Sequence, residues 1–318
     1  MKLAQVIERY VALKRATGAR FKTTAVLLHT FGRTAGPIDI ADVDEEMVLA
    51  FLNRSQPIRS SWHLKHYTLA GLFRFAMERG LASRSPMPQQ LPKRPPYARP
   101  YIYSTDELRR LLQATTVLDV RDRGCGPRAM PALTFRTLIL LLYGAGLRIS
   151  EAVALTVDDV DLSANLLVVR EAKFFKTRLV PVGPKLASTL NHYAEQRLRL
   201  IDGPPSGNAF FLGRHGRATS RHVAEHYFRV VREHAGIERH DGAYFQPRLH
   251  DLRHAFAVHR LVAWYREGRD VQLLLPKLST YLGHIGLEET QHYLTMTPDL
   301  LREAGQRFER YATRGVQP

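Results

Sequence analysis

Cysteine is almost missing from this 318-residue chain, where Cys125 stands alone. No intramolecular disulfide can form, and a zinc site built on several thiolates is excluded. A single thiol fits a reducing, cytoplasmic setting, with Cys125 an incidental loop residue. The N-terminus lacks the apolar run of a signal peptide. Long hydrophobic runs are also missing. The most apolar stretch is "LTFRTLILLLYGAGL", residues 133–147. Its Arg136 and short length predict a buried core helix rather than a membrane span. There is no internal repeat and no low-complexity tract. Acidic residues are scarce: 30 Asp+Glu face 46 Lys+Arg, a formal net charge of +16. That excess points to a polyanionic partner. Residues 1–100 carry 16 basic against 7 acidic side chains, so both parts of the chain share the attraction.

What is present describes an ordinary globular protein, 45% hydrophobic and 24% charged, long enough for two cores. Residues 85–100, "SPMPQQLPKRPPYARP", hold six of the 18 prolines. Proline restricts φ and removes a donor, so an extended, semi-rigid linker is expected there. Its Lys93, Arg94 and Arg99 could touch a phosphate backbone. Before it, residues 1–84 read as four helices in a small bundle with no candidate catalytic group. After it, residues 101–318 read as a larger, mainly helical domain. Ser104 caps a helix with an acidic first turn. "NLLVVREAKFFKTRLVPVG" predicts an antiparallel hairpin turning near "AKFFK". Further helices are expected over about 184–202, 219–236, 249–267, 270–282, 287–296 and 298–313.

The candidate site residues are scattered. Arg148 lies in "GAGLRISEA", where glycines end one helix and Ser150 could cap the next. A phosphate bound at that helix start would meet both the dipole and the arginine. Glu151, three residues on, could hold the guanidinium. The segment "RLHDLRHAFAVHR", residues 248–260, joins a buried stripe (Leu249, Leu252, Phe256) to three arginines and three histidines. His250 and Arg253 share a face and would be aimed outward together at a phosphate. A zinc reading of His250 with His254 meets Asp251 where a catalytic glutamate would stand, and a cation at Arg253. In "STYLGHIGLEETQHYLTMTPDL", His284 follows a helix-ending glycine, and Tyr293 comes nine residues later on the next helix.

The order Arg148, Lys173, His250, Arg253, His284, Tyr293 resembles the tyrosine recombinase (phage integrase) family. "GLRISEA", "HDLRHAFA" and "LGHIGLEETQHYL" match its three signature segments, and the linker followed by "YIYSTDELRRLL" matches its domain junction. The likeness is detailed over about residues 100–300 and weaker before. Alignment on "RLVPV" assigns the family's lysine to Lys173, with Lys176 as fallback, because "AKFFKTR" replaces the usual Gly-Lys-Gly turn. The segment between Arg253 and His284 is longer than in short members, as in recombinases of some mobile elements.

The resemblance implies a core-binding, SAM-like helical bundle joined to a catalytic domain, clamping double-stranded DNA. Arg148, Arg253 and His284 would hold the phosphate, and Tyr293 would attack it. Tyr281 is the next candidate nucleophile. His250 would assist deprotonation, and Lys173 would protonate the leaving 5′ oxygen. No metal, nucleotide or redox cofactor is implied. Partners would be a tetramer on DNA, with related recombinases or accessory proteins, in a bacterial nucleoid. The tail has Thr297 as a possible cap, Pro298 in the first turn, and a stripe of Leu300, Leu301, Ala304 and Phe308. It could pack on its own domain or, by resemblance, dock on a neighbouring protomer. A type IB topoisomerase would use the same chemistry without a partner site. A DNA-binding regulator would carry a damaged catalytic set, whereas all six positions here are chemically competent.

Overall fold

The computed structural model describes the chain except residues 19–20, 55–57, 59, 94–98, 122–129, 171–176, 296–297 and 315–318. Arg94, Cys125, Lys173, Lys176 and Thr297 therefore lie outside the described residues. The chain forms two units, Met1–Tyr97 and Ala98–Pro318.

The first unit contains α1 (Leu3–Ala16), α2 (Lys22–Ala35), α3 (Glu45–Leu52) and α4 (Ser60–Glu78). Each buries one stripe of its surface, and Leu3, Ile7, Leu28, Phe31, Phe51 and Phe73 meet in one core. Phe31 meets the edges of Phe51 and Phe73 at 5.1 and 6.4 Å, a favoured aromatic geometry. Asp44 caps α3 by accepting from Met47 N at 2.9 Å.

The second unit opens with α5 (Thr105–Ala114), begun by a capping box between Ser104 and Glu107. There follow α6 (Val117–Arg121), the apolar α7 (Ala132–Gly144) and the single turn α8 (Ile149–Ala152). Strands β1 (Val160–Asp161), β2 (Leu166–Val169) and β3 (Arg178–Pro181) form an antiparallel sheet in that order, with Leu167 opposite Val180. Leu167, Val169 and Val180 face the core while Leu179 faces out, as period-two alternation requires. The two strands expected of the hairpin pair with each other, its turn near "AKFFK" lies outside the described residues, and β1 is an addition. Then come α9 (Pro184–Gln196), α10 (Arg221–His234), α11 (Asp251–Arg266), α12 (Val271–Leu282), α13 (Glu288–Gln291) and α14 (Pro298–Arg314). The molecule is thus mainly helical with a small antiparallel sheet. No helix among the described residues is long and apolar enough to cross a membrane.

Three local expectations are corrected. The helix expected to reach 202 stops at Gln196, where Arg197 turns its Nε to the Phe210 carbonyl at 3.1 Å. Ser150 lies inside α8, and Arg148 itself occupies the N-cap position. The helix expected over 287–296 is only α13, which tightens into a 3₁₀ turn over His292–Thr295. That turn carries Tyr293 into the core.

Candidate active site

Three chain segments meet beside the first turn of α11, and Arg253 ties them together. Its side chain is not aimed outward, as the shared face with His250 suggested. It is 2% exposed and runs inward, donating from Nη1 to Gly146 O and from Nη2 to Leu282 O, both at 2.6 Å. The first carbonyl belongs to the turn after α7, the second to the end of α12. Both turns need glycine. Gly146 and Gly283 adopt left-handed φ of +59° and +67°. A Cβ at Gly146 would stand 2.6 Å from the Phe256 ring, and one at Gly283 would stand 2.9 Å from Nη1 of Arg178. Burial, then the neighbouring Arg148, pushes the Arg253 guanidinium down to about 10, so it stays cationic at neutral pH.

Arg148 is fixed by the same turn and by Glu151. Nη2 donates to Gly283 O at 3.1 Å and Nη1 to Glu151 Oε1 at 2.9 Å. The buried Glu151 also receives Arg178 from β3 through two donors, at 3.0 and 2.8 Å. Burial alone would push this carboxyl up, but Arg178 and then Arg148 hold it down at about 2. One carboxylate therefore orders two guanidiniums, with a third close by. Paired charges survive burial only with such hydrogen bonding. Glu151 supports Arg148 as expected.

The histidines and the tyrosine close the site. His284 Nδ1 lies 2.7 Å from the hydroxyl of buried Thr290, which fixes the ring. Its ring stacks on Tyr293 at 6.1 Å and 26°. Tyr293 is 2% exposed, and its hydroxyl lies 3.0 Å from Nδ1 of His254. His250 occupies the N-cap position of α11 without a side-chain capping bond and meets His254 edge to face at 4.9 Å. Burial is the largest influence on all three imidazoles, followed by His254 and Arg253 for His250, and by nearby arginines for the others. These effects hold His250 and His254 at about 4 and His284 at about 3. His250 is exposed at the surface, yet the surrounding protein and cations still favour its neutral form.

The structure brings Arg148, Glu151, His250, Arg253, His284 and Tyr293 together. Lys93 and Arg99 are exposed on the polypeptide outside this cluster. Tyr281 is committed elsewhere, donating to Pro181 O at 3.0 Å and stacking on Phe256. Sequence reasoning missed three members: His254, Arg178 and Thr290. His254 stands one helical turn from His250, a spacing weighed only for zinc, and Arg178 opens the "RLVPV" strand. A cluster of fixed guanidiniums, neutral imidazoles and a buried phenol can bind a tetrahedral oxyanion and deliver an oxygen nucleophile to it.

Comparison with known proteins follows the same line. Residues 103–299 match the Phage integrase family. The chain is 33% identical over 311 residues to "Putative integrase/recombinase y4rB" of Sinorhizobium fredii, covering 96% of both. It is 32% identical over 312 residues to tyrosine recombinase XerD of Mycobacterium leprae, covering 94% of this chain and 92% of that one. Among solved structures, a lambda integrase tetramer bound to a Holliday junction superposes with a TM-score of 0.63 at 16% identity, covering 92% and 77%.

Proposed function

From the premise that the chain belongs to the phage integrase family of tyrosine recombinases, enzymes that break and rejoin DNA, we propose that it is a site-specific DNA recombinase of a mobile element. The observation that carries this reading is the buried Tyr293 beside Arg148, Arg253 and His284, each fixed by protein contacts. Double-stranded DNA is the polyanion that the +16 charge answers.

The scissile phosphate binds between Arg148 and Arg253, whose donors meet its non-bridging oxygens. His284 adds a further donor. Tyr293 Oη attacks phosphorus as its proton leaves past the paired histidines 254 and 250. The bond to the 5′ oxygen breaks, and Lys173, the residue assigned by family likeness, gives that oxygen a proton. The product is a 3′-phosphotyrosyl link and a free 5′ hydroxyl. Attack by a 5′ hydroxyl from another strand reverses the step and completes exchange. Side chains carry every role, so cleavage persists in excess EDTA. Four protomers assemble on the junction, the arrangement named for the lambda integrase relative.

A nicked suicide duplex run on a denaturing gel tests this reading. The wild-type chain should form a covalent adduct, and Tyr293→Phe should bind DNA without forming one. An adduct in that variant would move the nucleophile elsewhere. Strand transfer between two duplexes separates recombination from simple relaxation.

A further inference from the structure

We propose that His254, rather than His250, is the catalytic base that first receives the Tyr293 proton. The inference rests on Tyr293 being the nucleophile and deepens that reading.

The geometry is direct. His254 Nδ1 is 3.0 Å from Tyr293 Oη, within the reach a general base needs. The two rings are tilted at 57° with centroids 5.6 Å apart. On its other side the phenol stacks against His284, so its oxygen has little freedom to leave His254. His250 packs against the His254 ring edge to face, one turn back on the same helix. In the neutral tautomer that accepts at Nδ1, His254 carries its hydrogen on Nε2.

The surroundings also supply a trigger. His254 faces Arg253 and His250 from its own helix and Arg248 just before it. Tyr293 and His284 face it from the segment after α12. Burial first, and then the field of Arg253 and Arg248, favours the uncharged ring in the free site. An arriving phosphodiester brings a negative charge that offsets the arginines, and an opposite charge nearby raises a histidine's affinity for a proton. The base therefore strengthens as the substrate docks.

The step balances. The Oη proton passes to Nδ1 as oxygen bonds to phosphorus, and the phosphorus–O5′ bond breaks. O5′ takes a proton from the donor assigned to Lys173. In the return reaction a 5′ hydroxyl gives its proton to the group assigned to Lys173 and displaces the tyrosine oxygen, which takes its proton back from Nδ1.

Single-turnover cleavage of the nicked duplex by the full chain tests the assignment, with DNA binding and thermal melting measured alongside. His254→Gln keeps a hydrogen-bonding side chain but cannot accept the proton. Its cleavage at pH 7 should fall by about 100-fold or more, the usual scale of a lost general base. The rate should then climb with pH as the phenol ionises unaided. A substrate with sulfur at the 5′ bridging position, whose leaving group needs no proton, should not rescue it. His254→Ala should behave alike. Wild-type rates with an unchanged pH profile in both variants, or rescue by the sulfur substrate, would overturn the proposal. A fluorinated, more acidic tyrosine at 293 in the otherwise unchanged chain gives a second way to overturn the proposal even if both variants unfold. The acid limb of the pH profile keeps its midpoint if a histidine is the base, and follows the phenol downward if not. An adduct formed by Tyr293→Phe would instead sink the nucleophile reading itself.

Discussion

The two units use charge in opposite ways. In Met1–Tyr97 the core is mostly carbon, with Phe31 set between Phe51 and Phe73, and the polar side chains it buries, His63, His66 and Thr68, are not formally charged pairs. Its ion pairs, such as Lys2–Asp39 at 3.2 Å, lie at the surface. Such exposed pairs contribute little to stability, about 0–1 kcal/mol. In Ala98–Pro318, charge is drawn inside: Glu151, Arg253 and Asp251 are buried, and each is held by partners. A basic surface can track a phosphate backbone with loose geometry. A reacting phosphate needs donors that are already in place, because reorganising them would add to the barrier. Our reading assigns affinity to the first unit and chemistry to the second.

The sharpest way to break this contrast is Arg253→Lys. The charge remains, but one ammonium cannot reproduce two donors to Gly146 O and Leu282 O and still present a fork to phosphate. Adduct formation should drop by about 10²–10³, the scale of losing one preorganised oxyanion donor. Deleting residues 1–84 should do the reverse, weakening binding and site choice while leaving the chemistry of the bound complex closer to normal. Suicide-substrate kinetics at saturating DNA, paired with binding curves, measure both. Near-normal cleavage by Arg253→Lys would remove the arginine from its assigned role.

Acid should also weigh more heavily on the second unit, although burial lowers the pKa of His66 in the first as well. His250, His254 and His284 are held neutral, well below the usual histidine value. The unfolded chain therefore binds more protons than the folded one between about pH 6.5 and their folded values of about 3–4. Stability contributed by these neutral rings is complete above pH 6.5 and is lost as pH falls toward 4. Glu151, held at about 2, adds a loss that begins as pH falls through the ordinary carboxylate range near 4.5 and runs down to about 2. Thermal midpoints measured from pH 7 to 4 should fall, and His254→Gln should flatten part of the slope. An unchanged slope in that variant would mean the ring is not kept neutral by its site.

Much of this was legible because the signals were periodic or strongly patterned. Leu252 and Phe256 of α11, with Leu249 in the turn before it, carry the expected repeat and are all buried. Ser104 and Glu107 announce their capping box by standing three residues apart in the chain. The site's membership was legible through three short segments in order. Direction was not. Sequence spacing places His250 and Arg253 on one face but does not say that Arg253 runs inward to carbonyls from two distant turns. Nor does it show which imidazole of the pair meets Tyr293, since one helical turn separates them and tertiary packing alone decides. Arg178 was hidden for the same reason: its partner Glu151 is 27 residues away.

The smallest expected effect concerns α14, where the second unit resembles the first in leaving side chains outside. Its apolar stripe is split by the structure. Leu300 is fully buried in the core that also holds Phe256 and Tyr293. Leu301 and Phe308 are 54% and 73% exposed. Glu303 ties the helix to Arg266 of α11 at 2.7 Å. The root of the helix thus packs on its own domain, and our reading assigns the exposed residues to a neighbouring protomer on DNA. Leu300→Ala should cost about 2–5 kcal/mol, as for other buried leucines. The double change Leu301→Ser with Phe308→Ser should alter monomer stability by only about 0.5 kcal/mol, the range of surface substitutions. It should also leave single-site cleavage intact. What it should reduce is assembly of paired sites and strand transfer between duplexes, read by gel shift and by recombinant product. Full recombination in the double variant would confine α14 to its own domain, and a large loss of melting temperature would show that these side chains serve the fold.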